Sequence, residues 1–188
     1  MFVLVENDSI TKTVPSNKGI TIGENQYPRA IFTSWSAAAR EAIGIYEVVQ
    51  DDSSKKNPNY YNNTSQSLNF AGGKVTASFG NATARELADT TVNDIVTPGL
   101  KTRKKKIIKQ QASDLLTATD WHVIKATEVD SYSVPAEMTT YRAAVRTASN
   151  DMETKIDACS TVDELAALYA YNNDEPRVRP LGEFPEEV

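Results

Sequence analysis

The chain has 188 residues, of which 40% are hydrophobic, and a formal net charge of −5. That length suits one ordinary domain or two small ones in series, but its apolar share falls below the roughly 45–50% of an average globular chain, and an acidic surface has no general attraction for a phosphate backbone. The single cysteine, Cys159, excludes an intrachain disulfide and a multi-thiolate zinc site, and the single histidine, His122, argues against most hydrolytic and metal-dependent designs.

In chain order, Phe2–Val5 is an apolar run that predicts a strand. It has no basic lead and is too short for a signal peptide. No run approaches about 20 apolar residues, so no membrane span is expected. The sequons at Asn62 and Asn81 read as coincidental. Ile20-Thr21-Ile22 predicts a second strand turning at Gly23, and Tyr27–Phe32 reads as extended because the residue before Pro28 avoids the helical region. Ser34 or Ser36 can cap a short helix through Ala37–Ala42 that Gly44 ends, and Ile45–Val49 predicts a strand. Asp51–Ser67 is polar loop. Ser67–Phe70 and Lys74–Phe79 then flank Ala71-Gly72-Gly73 as a β-hairpin.

Ala88, Val92, Ile95 and Val96 fall at i, i+4, i+7 and i+8, which predicts a helix broken at Pro98-Gly99. A further helix is expected over 102–116, with Ile108, Ala112, Leu115 and Leu116 on its apolar face. After a loop, Pro135 suits a helix start, and Met138, Tyr141, Val145, Ala148 and Met152 repeat at three and four. That row reads as an intrachain core face rather than an oligomer seam. Ser160–Glu164 contains capping-box patterns for a last helix with Val162, Leu165, Leu168 and Tyr169. From Asn173 the chain is charged and carries Pro176, Pro180 and Pro185, so an extended tail gripped by other subunits is expected.

The fold class expected is therefore α+β: a small β-rich N-terminal module with a short helix, a helical C-terminal half and an extended tail. The expected segments are 1–50, 51–82, 83–172 and 173–188.

No catalytic, cofactor-binding or metal-ligating residue is expected, and no small-molecule substrate. Gly72-Gly73-Lys74 lacks the spacing of a phosphate loop. Asp120-Trp121-His122, with Ser113 or Ser131, invites a triad reading, but adjacency does not supply convergence in space. The reading preferred for Trp121 is a plug between helices. Asp51-Asp52 and Glu186-Glu187 read as solvated charge. Lys101, Arg103, Lys104, Lys105, Lys106 and Lys109 form a basic cluster at a helix start, where lysine opposes the helix dipole. Residues 128–188 hold 13 acidic and 5 basic residues. The cluster is thus expected to meet this acidic half, in the same chain or a neighbour. No aromatic interleaves it, so base stacking is unsupported.

Two regions resemble known families. Leu115-Leu116-Thr117-Ala118-Thr119-Asp120-Trp121, followed by Met138–Arg146 with its Tyr141-Arg142 and Arg146, resembles the phage tail assembly chaperone-like domain. Here the spacing carries an additional Tyr132-Ser133-Val134-Pro135, and the chain runs on past Arg146. Tyr27-Pro28-Arg29 with Trp35-Ser36 and Ile43-Gly44-Ile45-Tyr46 looks like the N-terminal modules of phage tail-fibre-associated proteins. The resemblance implies a non-enzymatic tail protein of a bacteriophage virion, made in the host cytoplasm, at the baseplate or a tail-fibre attachment point. The alternative is a transient tail-fibre assembly chaperone. The partners implied are other tail proteins or a second copy of the chain, not nucleic acid or membrane. The interaction residues are Asp120, Trp121, Tyr141, Arg142 and Arg146. In that group Tyr141 is expected to pack on the Trp121 indole, with Arg142 and Arg146 clamping Asp120 or a partner carboxylate.

Overall fold

The computed structural model describes residues 1–186. The last two positions of the expected tail, and with them the Glu187 half of the Glu186-Glu187 pair, lie outside the described residues. The fold is α+β, with a sheet-rich N-terminal region and a helical C-terminal half. Two compact units meet in sequence at Thr83/Ala84.

The first unit contains β1 (Phe2–Glu6), β2 (Ser9–Val14), β3 (Ile20–Ile22), β4 (Asn25–Tyr27), α1 (Ile31–Ser34), α2 (Ala37–Glu41), β5 (Ile45–Asp51), β6 (Tyr61–Asn62), β7 (Gln66–Ala71) and β8 (Lys74–Phe79). One sheet runs β2-β1-β5-β8-β7. Its only parallel pairing sets Val48–Asp51 of β5 against Val75–Ser78 of β8. That pairing joins the expected segments 1–50 and 51–82 into one body. β1 is buried on both faces. Phe2 and Leu4 join Ile31, Phe32 and Ile45 on the helix side, while Val3 and Val5 join Val48, Val75 and Ala77 on the other. A strand covered on both sides reads as a continuous apolar run, which is why Phe2–Val5 shows no alternation.

Two features differ from expectation. Asn7 and Asp8 both take positive φ (50° and 58°), so β1 turns directly into the unforeseen strand β2. Asn and Asp tolerate this left-handed region better than most residues. Ile31 and Phe32, expected to be extended, lie in α1. Proline restrains the residue before it, not those after, and the Pro28 carbonyl accepts the Ile31 amide at 3.2 Å to open the turn. Ser36 caps α2 through the Ala39 amide. Gly44 ends it at φ +81°, and a Cβ there would stand 2.7 Å from the Val5 carbonyl oxygen.

β9 (Thr83–Ala84) stands at the boundary. The second unit follows with β10 (Thr90–Val92), β11 (Ile95–Thr97), α3 (Leu100–Thr117), α4 (Asp120–Glu128), α5 (Ala136–Ala158) and α6 (Val162–Ala167). The helix expected around Ala88–Val96 is instead a hairpin, β10 paired antiparallel with β11 across Asn93-Asp94 at φ 49° and 61°. Thr90-Thr91-Val92 and Ile95-Val96-Thr97 are β-branched throughout. That composition favours strand, and the two-residue turn overrides the helical spacing of the apolar positions.

α3 starts without a side-chain cap. Its first amides are met by backbone, Leu100 N–H donating to Glu86 O (2.9 Å) and Lys101 N–H to Leu87 O (3.0 Å). Asp89 accepts the Gly99 amide at 2.8 Å. Hydrogen bonds from Thr102 and then Gly99 hold the Asp89 carboxyl below its ordinary value. α3 and α5 pack antiparallel around Ala112, Met138, Tyr141 and Val145. Thr161 and Glu164 complete a capping box at α6.

The tail is irregular but not free. Leu181 is fully buried, and its amide donates to Leu168 O at 2.9 Å. Lys155 of α5 donates to the carbonyls of Pro180 (2.8 Å) and Leu181 (3.1 Å). Phe184 packs against the α3–α5 core. Its own unit anchors this segment, because Leu181 and Phe184 supply apolar side chains among the prolines.

Candidate interaction surface

The elbow between α3 and α4 is built around one guanidinium. Arg142, on α5, is buried, and its Nη1 donates to the Leu116 carbonyl (2.8 Å) and to Thr119 Oγ1. Its Nη2 donates to Asp120 Oδ1 at 2.7 Å. Leu116 O belongs to the last turn of α3, whose carbonyls have no partner within the helix, and Asp120 opens α4, where a carboxylate favours the dipole. Arg142 therefore satisfies one helix end and secures the start of the next. Thr119, almost fully buried, reinforces the bend through its own bond to Leu116 O at 2.9 Å. Arg146, one turn along α5, is exposed and donates to the Arg142 carbonyl at 3.2 Å.

The expected Trp121–Tyr141 contact does not form. Tyr141 is 4% exposed in the α3–α5 core, whereas Trp121 is 53% exposed. α4, unforeseen as a helix, explains the separation. Asp120 faces α5, and the next helical residue points about 100° away around the axis. Trp121 thus plugs no gap between helices. It stacks on His122 with centroids 3.6 Å apart and lies 6.4 Å from Tyr132. His122 Nδ1 meets the Tyr132 hydroxyl, and Lys125 Nζ sits 4.4 Å from the Tyr132 ring centre. Tyr132, in the additional four residues of the spacing, is the true aromatic partner. α4 buries none of its own side chains, and Trp121, Val123, Ile124 and the following Val129 all stand exposed.

The basic cluster meets acid within its own unit. Lys105 pairs with Asp157 at 2.8 Å and Lys109 with Glu153 at 3.3 Å, successive rungs between α3 and α5. Lys101 donates to the Asp157 carbonyl, and Lys104 lies 4.4 Å from the Tyr169 ring centre, where burial lowers its pKa. The ladder ends after Glu153. The next turn presents Ser113 and Ser149, and small side chains leave an open cleft of about 480 Å³ that Asp120, Arg142 and Arg146 also line. A second cleft of about 450 Å³, lined by Lys105, Lys106 and Lys109 with Thr102 and Gln110, shares Lys109 with it. His122 lines neither. Among the described residues, no group of three or more His, Cys, Asp or Glu side chains is placed to hold a metal ion, and no helix is long and apolar enough to cross a membrane.

The five residues singled out from the sequence therefore divide. Asp120 and Arg142 are paired in the elbow, Tyr141 is core, Trp121 is open surface and Arg146 faces a cleft. Comparison with protein-family models, curated proteins and solved structures finds no match to this chain.

Proposed function

We propose that the chain is a non-enzymatic tail protein of a bacteriophage, acting in the virion at the baseplate or at a tail-fibre attachment point through contacts with other tail proteins. The observation that carries the contact role is α4, a helix that buries none of its side chains yet displays Trp121, Val123 and Ile124 to solvent. Trp121 and Ile124, three residues apart, share a face of α4, and exposed apolar side chains of this size on a folded unit suit a place where another macromolecule sits. The hairpin β10–β11 adds Val92, Ile95 and Val96, all exposed, with Ile95 at 70%. The phage-tail setting is supported by the resemblance at 115–146 and 27–46.

A second reading, a transient tail-fibre assembly chaperone, is favoured by the Asp120–Arg142 pair, because both residues belong to the motif that resembles the chaperone-like domain. Mass spectrometry of purified particles separates the two. A virion component is recovered at fixed stoichiometry. A chaperone is missing from particles but is recovered with tail-fibre protein from lysate. Recovery with neither removes the tail assignment.

A further inference from the structure

We infer that the α3–α5 face carries a docking groove for an acidic amphipathic helix of a partner protein. The inference rests on the contact role proposed above, since it requires a protein occupant, and it adds the chemistry of that occupant.

The two clefts share Lys109 and follow α3 from Thr102 to Thr117, with Asp120 of α4 at the end. At 1.5 Å per residue this is about 22 Å, the length of roughly four helical turns. Their combined lining holds five cations and one carboxylate, although the whole chain carries net charge −5. The carboxylate, Asp120, is occupied by Arg142. Lys105 and Lys109 are partly neutralised by Asp157 and Glu153. Among the described residues, neither Lys106 nor Arg146 has a carboxylate within ion-pair distance. The ladder thus leaves a cation beyond it in each cleft: Lys106 on α3 and Arg146 on α5.

Between them the first cleft is lined by small side chains, with Ala112 and Leu116 as its apolar strip beside Ser113, Thr117 and Ser149. A strip of this kind between cationic rims suits a helix with an apolar stripe flanked by Glu or Asp. A nucleic acid is the poorer occupant. Neither cleft is lined by an aromatic side chain on which a base could stack, and Asp120 stands at one end.

The test uses the full chain and three probes of matched length, read by fluorescence anisotropy. They are a synthetic helix of about four turns with Leu at i, i+3, i+4 and i+7 and Glu beside them, the same peptide with Gln for Glu, and a single-stranded DNA oligonucleotide. The Glu peptide is expected to bind, more weakly as salt rises above about 0.15 M, and the Gln peptide to bind poorly. Lys106→Glu and Arg146→Glu each reverse an exposed charge and should each weaken binding about five- to tenfold. Ser113→Trp fills the cleft and should abolish binding, with circular dichroism confirming an intact fold. Lys12→Glu, in the other unit, should change nothing.

Equal affinity for the Glu and Gln peptides overturns the proposal. So does indifference to both charge reversals, absence of peptide binding, or tighter binding of DNA than of peptide. Such a failure, with the chain still recovered from purified particles, removes the groove's partner while the tail assignment stands. Peptide binding by a chain recovered with neither particles nor tail-fibre protein has the opposite meaning.

Discussion

Arg142 and Asp120 are joined at 2.7 Å across the elbow between α3 and α4, and the same guanidinium reaches the Leu116 carbonyl at 2.8 Å. Substituting Arg142 by Ala removes a charged donor from the Leu116 carbonyl, from Thr119 Oγ1 and from Asp120, leaving Thr119 and Leu116 only their bonds to each other, and is expected to destabilise the protein by about 2–3 kcal/mol. Lysine keeps the charge but not the fork, so Arg142→Lys should lose about 1–2 kcal/mol. Asp120→Asn keeps an acceptor and should lose less than either. Denaturant unfolding followed by circular dichroism orders the three, and a milder effect from Ala than from Lys would contradict the elbow.

The Lys105–Asp157 rung is partly exposed, and its worth should be modest. Lys105→Glu is expected to destabilise by about 0.5–1.5 kcal/mol at low salt, with the difference shrinking in high salt as screening removes both attraction and repulsion. Adding Asp157→Lys should restore part of the loss. Thermal melts at two ionic strengths measure this.

Gly44 and Gly72 both have positive φ, yet only Gly44 is crowded, with the Val5 carbonyl 2.7 Å from a notional Cβ. Gly44→Ala should therefore destabilise by about 2–3 kcal/mol, and Gly72→Ala by about 1 kcal/mol. Chemical unfolding of the two variants side by side tests the difference.

Asp89 holds the Gly99 amide at the start of α3, and hydrogen bonds from Thr102 and then Gly99 hold its carboxyl below its ordinary value. A depressed carboxyl stabilises the folded form above the unfolded-state pKa and loses that contribution as pH falls through the folded-state value. The Gly99 amide resonance should therefore hold steady from neutral pH down to the ordinary aspartate range and shift only below it. Asp89→Asn should abolish the acid-linked shift. A midpoint above that of an unperturbed aspartate would contradict the assignment.

Cys159 is buried, and that burial, followed by the Glu164 carboxylate, raises its pKa. Less thiolate and restricted access both slow attack on a disulfide reagent. Native protein at pH 8 should react far more slowly than protein in denaturant. Comparable rates would place the thiol at the surface.

The α3 and α5 helices, the Gly72-Gly73 hairpin, the Ser36 cap and the Thr161–Glu164 box are each visible in the sequence, because each depends on neighbours a few positions away. The meeting of Lys105 and Lys109 with acid was legible as charge asymmetry, though the residues that receive them depend on antiparallel register. The hairpin at Asn93-Asp94 was hidden because Val92, Ile95 and Val96 satisfy a helical spacing while lying on an exposed ribbon. Trp121 was misplaced for a related reason. Indoles are usually buried, and nothing local marks α4 as a helix with no buried side chain. The partner of Arg142 was readable as an acid–base pair, but its second task, closing the end of α3, depends on a carbonyl 26 residues away.

The burial of Leu181 bears on how the helical unit could be trimmed. A version ending at Asn172 would lose the acceptors of the Lys155 ammonium and the amide that meets Leu168. Its α5 and α6 would enter solution with an uncovered seam where the returning strand of chain now lies. The smallest self-sufficient form of this unit therefore reaches at least to Phe184, and a fusion partner or label belongs beyond that residue.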